Sequence, residues 1–136
     1  KQLLSVIKER ELETFIINVG PLAQAELPTY FSHVDALVMP TTLESFSGTY
    51  LEAMSFSCPV LTSDLDFAKA ICGEAALYFD PYNVNDIVEK IINLMTNKVL
   101  YNALVDKGSE RVKAFLTPQE RAKAYIKLCS EVVNKK

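Results

Sequence analysis

The sequence predicts an α/β fold in which a short parallel sheet lies between two layers of helices, with extra helices at the C-terminal end. Short, continuously apolar segments alternate with segments of helical periodicity, as in βαβ units whose parallel strands are buried on both faces. From about residue 83 onwards the periodicity is helical throughout. The chain has 136 residues, of which 49% are apolar and 23% charged, a balance that suits a single globular domain with one core.

The N-terminal half alternates helix and strand signals. Apolar residues at helical spacing predict a helix over residues 2–11, and the β-branched and aromatic residues of 14–19, closed by Gly20 and Pro21, predict a buried strand. The elements predicted next are a short helix, a strand, a helix and a strand, over residues 27–33, 36–39, 48–56 and 59–62. A doubly wound domain begins with a strand, whereas a helix comes first here, so we expect a domain that lacks its first strand.

The C-terminal half is mostly helical. Its predicted elements are a short helix, a strand and a longer helix, over residues 67–72, 76–79 and 100–115. Asn83 is a predicted N-cap, and Thr117 with Glu120 forms a predicted capping box at the start of the last helix. The helix that follows Asn83 has a predicted buried stripe, made of Val84, Ile87, Val88, Ile91, Ile92 and Met95. The last helix has a predicted apolar face, made of Ala122, Tyr125, Ile126, Cys129, Val132 and Val133.

Composition and charge argue against several functions. A formal charge of −3 gives no electrostatic case for binding nucleic acid. Three cysteines without a CxxC pair and a single histidine predict neither a disulfide framework nor a metal site. No apolar run approaches the roughly 20 residues that span a bilayer, and no signal peptide opens the chain. We therefore expect a cytoplasmic protein without cofactor or metal, and peripheral association of the full-length protein with the inner face of the membrane stays open.

The polar loop after Pro40, over residues 41–47, leads directly into a predicted helix. Ligands of open parallel sheets bind outside the carboxyl ends of the strands, and this loop follows such an end. The helix start at Ser47, Gly48 and Thr49 offers unpaired backbone N–H groups and a partial positive charge. Because glycine has no side chain, a ligand can approach the backbone closely there. We therefore predict that a phosphate or diphosphate binds at this helix start.

Two carboxylates flank the helix start. Glu52 lies about one helical turn beyond Gly48 and can share the side of the helix that faces the ligand. A carboxylate repels phosphate, but it accepts hydrogen bonds well from the two vicinal hydroxyls of a ribose. Glu44 lies in the loop on the other side of the helix start, where it could reach hydroxyls of a second sugar.

The segment Glu44-Ser-Phe-Ser-Gly-Thr-Tyr-Leu-Glu52 resembles the motif of a glycosyltransferase family, the glycosyl transferases group 1, in which seven residues separate two glutamates. The flanking segments are similar too. Residues 27–40 resemble the family's helix–strand–proline lead-in, Pro59-Val60 follows in the same order, and residues 73–81 resemble its later glycine-to-proline stretch. The resemblance covers nearly the whole chain.

The resemblance implies a GT-B architecture, in which two Rossmann-like domains face each other across a cleft and the C-terminal one binds the nucleotide-sugar. Residues 1–136 would be one donor-binding, Rossmann-like three-layer α/β/α domain without its first strand and without the acceptor-binding domain. By position, Glu52 would bind the ribose hydroxyls, and the backbone at Gly48 and Thr49 would bind the diphosphate. The family retains anomeric configuration and needs no metal.

By the same resemblance, the remaining candidate residues would lie near the donor sugar and the base. Glu44 is the catalytic candidate. The loop that would face the donor sugar with it comprises Ser45, Phe46 and Ser47, and the turn that would lie near the base comprises Gly20, Pro21 and Leu22.

The chain also departs from the family pattern. The family has glycine at the positions of Ser45 and Ser47, glycine before the Pro-Val pair, where this chain has Cys58, and a glutamate at the position of Ala70. The family's basic residues for the diphosphate precede the first helix and are absent from these 136 residues. The expected partners are thus a nucleotide-sugar donor and an acceptor-binding domain of the same protein.

Two other classes of protein stay open. A GT-B nucleotide-sugar epimerase would share the donor site. A non-catalytic α/β module such as a receiver domain would need an acidic cluster at successive strand ends, and those ends hold Gly20, Pro40, Ser63 with Asp64, and Asp80. We expect the isolated chain to be inactive, because chemistry in a two-domain cleft needs both walls.

Overall fold

The computed structural model describes residues 2–133, without the side chains of Gln2 and Pro118. The chain divides into two compact units, Lys1–Tyr30 and Phe31–Lys136, called the first and second unit below. The sheet lies in the second unit. The interpretation of residues 1–136 as a single domain stays a prediction.

The first unit contains little regular structure. Helix α1 spans Gln2–Glu9, and a single 3-10 turn spans Gln24–Glu26. Residues 14–19 form no strand, and Phe15 and Ile17 are 82% and 75% exposed, so the prediction of a buried strand there was wrong. An apolar segment becomes a strand only when a neighbouring strand takes up its N–H and C=O groups. Among the described residues, 14–19 pair with none of the strands of the sheet.

The second unit is built on three parallel strands in the order β1-β2-β3. The strands β1, β2 and β3 span Leu37–Met39, Val60–Ser63 and Ala76–Phe79. Helix α2, Leu27–Phe31, precedes the sheet across the boundary between the units, and a helix follows each of the first two strands. These connecting helices, α3 and α4, span Gly48–Ser55 and Asp66–Cys72. The alternation of strands and helices therefore forms the predicted parallel sheet.

Three helices follow the sheet. They are α5, α6 and α7, which span Val84–Thr96, Lys98–Lys113 and Pro118–Val133. Asn83 is the N-cap of α5, because its side-chain oxygen accepts hydrogen bonds from the N–H groups of Asn85 and Asp86 at 3.1 and 3.3 Å. Thr117 Oγ1 accepts from the N–H of Glu120, whose carboxylate accepts from the N–H of Thr117. The predicted N-cap and the predicted capping box are both confirmed.

Helices cover both faces of the sheet. Successive side chains of a strand point to opposite faces, so neighbouring residues of β2 pack in two different cores. On one face, Val60 of β2 packs in a core with α3 and α4, whose buried members include Tyr50, Ala53, Met54, Ala68, Ile71 and Cys72. On the other face, Leu61 packs in a second core with Phe79, Leu94 and Leu104. The second unit therefore has the three layers that the sequence predicts.

The apolar stripe predicted for α5 is only partly buried. Two of its six members, Ile87 and Ile91, pack partly buried in the second core. They lie beside Leu94, which is 1% exposed and does not belong to the predicted stripe. The other four members of the predicted stripe are 48–72% exposed: Val84, Val88, Ile92 and Met95. Helix α5 contacts β3 and α6, so a narrow side of it is covered and the rest of the stripe lies outside the contact. The predicted apolar face of α7 is likewise exposed.

A glycine brings α6 close to α3. A Cβ atom added at Gly108, in the middle of α6, would lie 3.1 Å from Met54 Cγ and 3.4 Å from Met54 Cβ. A larger residue at this position would therefore require Met54 to shift by a few tenths of an ångström. Three residues further along α6, the Arg111 guanidinium donates to the carbonyl oxygens of Ile71 and Ala70 at 2.7 Å each. Arg111 thus supplies hydrogen-bond donors to carbonyl groups in the last turn of α4, where a helix offers no N–H partners of its own.

A buried chain of hydrogen bonds joins α3 to the carboxyl ends of two strands. Thr62 Oγ1 of β2 donates to the carbonyl oxygen of Met39, the last residue of β1, at 3.1 Å. Because a hydroxyl has one proton, the Tyr50 hydroxyl is the donor in its 2.8 Å bond with Thr62 Oγ1. Tyr50 and Thr62 are both fully buried. The first turn of α3 is therefore fixed against the edge of the sheet.

We expect Thr62→Val to lower the free energy of unfolding by about 1–3 kcal/mol, because it leaves the Tyr50 hydroxyl buried without a partner and also removes the side-chain hydrogen bond to the Met39 carbonyl. Tyr50→Phe should cost less, about 0.5–1.5 kcal/mol, because Thr62 still donates to Met39. Urea unfolding of the two variants and the double variant measures both costs. A larger loss for Tyr50→Phe than for Thr62→Val would contradict the direction assigned to these hydrogen bonds.

Candidate functional site

The N-terminus of α3 is open to a ligand. Ser47 has the extended backbone of an N-cap residue, with φ −108° and ψ 115°, but its side chain makes no cap hydrogen bond. A Cβ atom added at Gly48 would meet no atom within 4 Å, so this position faces open space. The first N–H groups of a helix lack helical partners, and the side chain of the N-cap residue usually accepts a hydrogen bond from one of them. The Ser47 side chain accepts none. The backbone at Gly48 and Thr49 is thus available to an anion.

The two glutamates of the motif lie on either side of this helix start. Glu44 is in the loop between β1 and α3, and Glu52 is on α3 one turn after Gly48. Both glutamates are half-buried. Glu44, the start of α3 and Glu52 therefore follow one another in the second unit, in the loop after β1 and the first turns of the helix.

Burial keeps the tyrosine beneath the site protonated. Burial raises the pKa of the Tyr50 phenol, the hydrogen bond with Thr62 opposes the rise, and the charge of Glu44 adds to it. A protonated phenol can donate to Thr62 throughout the neutral pH range. Neither Tyr50 nor Thr62 is a candidate ligand-binding residue, and both act by holding α3 in place.

The loop side chain Phe46 packs on the connection between α6 and α7. Its ring lies 6.5 Å from the ring of Phe115, centroid to centroid, at an interplanar angle of 59°. Phe46 is 49% exposed, whereas Phe115 packs partly buried against the core of α3 and α4. An open cavity of about 490 Å³ lies beside the pair. The loop therefore packs at Phe46 and at the buried Ser47, and it is exposed before them, at Leu43 and Ser45.

The turn predicted to lie near the base belongs to the first unit. Gly20 has a left-handed backbone with φ +71°, which glycine adopts without strain, and its N–H donates to Asn18 Oδ1 at 3.0 Å. Gly20 and Pro21 are exposed and Leu22 is half-buried. The turn is formed as the Gly-Pro pair suggests, and its role near the base stays a prediction.

The acidic residues at the strand ends already form an ion pair or a hydrogen bond within the protein. Asp64, after β2, pairs with Lys69, and its N–H donates to the carbonyl of Phe79. Asp80, after β3, accepts a hydrogen bond from the N–H of Tyr82 at 2.9 Å. Within residues 2–133, no three His, Cys, Asp or Glu side chains cluster as a metal site would require. These strand ends therefore do not favour the receiver-domain alternative.

Sequence reasoning missed the residues that support the site from behind. Thr62 and Tyr50 lie in segments that read as an ordinary strand and helix, and no pattern shows that their hydroxyls meet. Phe115 lies about 70 residues from Phe46 in the sequence. For Arg111 the sequence did offer a signal. A basic residue on the core-facing side of α6 suggests that its guanidinium is paired.

Solved structures identify the fold. The chain is similar to sucrose-phosphate synthase from Thermosynechococcus elongatus, with a TM-score of 0.89 and 22% identity over 99% of this chain and 34% of that one. It is also similar to the C-terminal domain of a glycosyl transferase group 1 family protein from Francisella tularensis, with a TM-score of 0.70 and 24% identity over 83% of this chain and 60% of that one. The fold is the Rossmann-like fold of GT-B glycosyltransferase C-terminal domains.

The chain belongs to the glycosyl transferases group 1 family, whose profile matches residues 1–111. Mannosylfructose-phosphate synthase of Agrobacterium fabrum is 28% identical over 118 residues, which cover 85% of this chain and 26% of that protein. O-antigen chain mannosyltransferase B of Escherichia coli is 26% identical over 113 residues, which cover 83% and 30%. The chain thus spans between 26% and 30% of these two curated relatives. The family inferred from the motif and its flanks is confirmed, and the roles of the individual site residues stay predictions.

None of the helices described between residues 2 and 133 is both long enough and apolar enough to cross a bilayer.

We expect Ser47→Ala to lower the free energy of unfolding by clearly less than the roughly 1 kcal/mol of a working N-cap, because the buried Ser47 side chain makes no cap bond. Asn83→Ala is the matched control at a working N-cap, and its loss should be about 1 kcal/mol. Urea unfolding midpoints of the two variants test this. A loss of 1 kcal/mol or more for Ser47→Ala would show that the hydroxyl occupies the N–H groups assigned to a ligand.

Proposed function

We propose that the chain is the donor-binding domain of a glycosyltransferase, which binds a nucleotide-diphosphate sugar for transfer of the glycosyl group to an acceptor. One observation carries the proposal: the start of α3 is uncapped by Ser47, open beside Gly48 and held at the carboxyl end of the sheet. Membership of the glycosyl transferases group 1 family supports the same substrate class.

The diphosphate binds at the start of α3 in this proposal. A chain with a formal charge of −3 attracts an anion only through local features, and a helix N-terminus is such a feature. The N–H groups of Gly48 and Thr49 donate to the phosphate oxygens. When the bond between the sugar and the diphosphate breaks, negative charge develops on the leaving diphosphate. Preorganised N–H groups stabilise that charge, so the transfer proceeds without a metal ion.

The two glutamates take different parts of the donor. Glu52, one turn into α3, accepts hydrogen bonds from the ribose hydroxyls. Glu44 and the loop of Ser45, Phe46 and Ser47 face the transferred sugar, with Glu44 as the catalytic candidate. The turn of Gly20, Pro21 and Leu22 is the candidate segment for the base. The glycosyl group moves to an acceptor oxygen with retention of anomeric configuration.

A titration that follows amide NMR signals tests the donor site. UDP-glucose and GDP-mannose, with UDP and GDP as the sugar-free probes, should shift the signals of Gly48, Thr49 and Glu52. Glu52→Gln should raise the Kd of nucleotide and nucleotide-sugar alike by about tenfold, because it weakens hydrogen bonds to a charged acceptor. Glu44→Gln should raise only the Kd of the nucleotide-sugars.

The matched control for these two variants is Glu89→Gln, which removes an exposed carboxylate on α5 and should leave every Kd unchanged. The proposal fails if saturating concentrations of all four probes leave the α3 signals unmoved in the wild-type chain. It also fails in its residue assignments if Glu89→Gln weakens binding as much as Glu52→Gln does.

The second wall of the active site is an acceptor-binding domain of the same protein in this proposal. Both walls are needed to orient the acceptor and to exclude water. We therefore expect the purified 136-residue chain to transfer no sugar from either nucleotide-sugar to sugar or lipid-linked acceptors. Chromatography of reaction products measures transfer against a protein-free control. Product formation above that background, from preparations purified by two independent routes, would contradict the expectation.

A further inference from the structure

Three side chains from distant parts of the sequence stack behind the donor-facing loop. The ring of Phe46, in the loop before α3, lies 6.5 Å from the ring of Phe115, in the connection between α6 and α7. The Arg111 guanidinium carbon lies 5.1 Å from the centroid of the same Phe115 ring. Phe115 therefore contacts a side chain of the loop and a side chain of α6 at once.

Arg111 makes one end of this stack rigid. Its Nε donates to the carbonyl oxygen of Ile71 and a terminal guanidinium nitrogen donates to that of Ala70, both at 2.7 Å. Two charge-assisted hydrogen bonds from a planar group fix its orientation, and a fixed guanidinium stacks on an aromatic face without further loss of side-chain freedom. The N–H of Phe115 donates to the carbonyl of Val112 at 3.0 Å, which fixes its backbone too.

The other end of the stack has no hydrogen-bonded secondary structure of its own. Phe46 lies in a loop without helix or strand, is about half exposed, and borders an open cavity of about 490 Å³. The contact with Phe115 is tilted, with an interplanar angle of 59°, which is a favourable arrangement for two aromatic rings. Removing the Phe115 ring would give Phe46 room to leave its present position.

We propose that Phe115 is a positioning residue, which holds the loop of Glu44 to Ser47 in the conformation that faces the donor sugar. This inference rests on the proposed function for the identity of the ligand. Phe115 does not touch the donor. It acts through Phe46, and Arg111 keeps Phe115 in place.

The loss of this contact should affect the sugar and spare the nucleotide. The diphosphate and ribose contacts come from the backbone and side chain of α3, which the Tyr50–Thr62 hydrogen bond holds independently of the loop. When only part of the population has the loop in place, the apparent Kd of a ligand that needs the loop rises by the inverse of that fraction. An aromatic pair of this kind corresponds to about a two- to tenfold change.

The experiment compares Phe115→Ala, Phe115→Leu and Phe115→Tyr in the whole 136-residue chain. Phe115→Leu keeps most of the apolar volume, so it tests the ring even if Phe115→Ala does not fold, and Phe115→Tyr keeps the ring. Phe56→Ala is the matched control, because Phe56 is an exposed aromatic residue that stacks on Phe31 at 5.8 Å. The probes are UDP-glucose and GDP-mannose against UDP and GDP.

We expect Phe115→Leu to raise the Kd of the nucleotide-sugars by about two- to tenfold and the Kd of UDP and GDP by less than twofold. Phe115→Tyr and Phe56→Ala should stay within twofold of the wild type for all probes. In the ligand-free chain, the amide signals of Phe46 and Ser47 should shift or broaden in Phe115→Leu and not in Phe56→Ala.

Equal losses for nucleotide-sugars and nucleotides, or no loss for either, would overturn the positioning role. A wild-type chain that binds none of the four probes would overturn the proposed function instead, and with it the donor-specific part of this inference. The amide signals of the ligand-free chain then test whether Phe115 holds the loop. Unchanged signals of Phe46 and Ser47 in Phe115→Leu would show that it does not.

Discussion

The hydroxyl of Thr62 is the point at which the candidate site is joined to the fold. It accepts a hydrogen bond from Tyr50 on α3 and donates one to the last carbonyl of β1, and both Tyr50 and Thr62 are fully buried. Buried polar groups are costly when unpaired, so this geometry tolerates little displacement of α3 along or away from the sheet. The direction of the first N–H groups of α3, on which anion binding depends, follows from that constraint.

The support of the site extends well beyond the segment from Glu44 to Glu52. The close approach at Gly108 lets α6 pack on α3, and Arg111, one turn further on, closes the end of α4 and stacks on Phe115. Residues more than 40 positions away from the motif thus set the positions of both the helix and the loop. The segment from Glu44 to Glu52 identifies the family, but its geometry depends on helices that lie outside this segment.

Much of the fold could be predicted from the sequence, because the signals are local. The strands at Leu37–Met39, Val60–Ser63 and Ala76–Phe79 agree with their apolar segments to within a residue at each end, and α3 begins at Gly48 as expected. The caps at Asn83 and Thr117 depend on residues within three positions, and they were predicted correctly. The strand at 14–19 was not, because its apolar residues carry no information about whether a neighbouring strand is present to pair with them.

By itself, the sequence determined the order of the elements in the second unit, the caps at Asn83 and Thr117, the family and the segment in which the candidate ligand-binding groups lie. These depend on short-range periodicity and on residues adjacent in the chain. Only the tertiary structure decided which side of α5 is buried, that Ser47 leaves the start of α3 uncapped, and that Phe115 stands behind Phe46. The reason is physical: these features depend on contacts between segments tens of residues apart, and such contacts are set by the packing of whole helices and not by any local pattern.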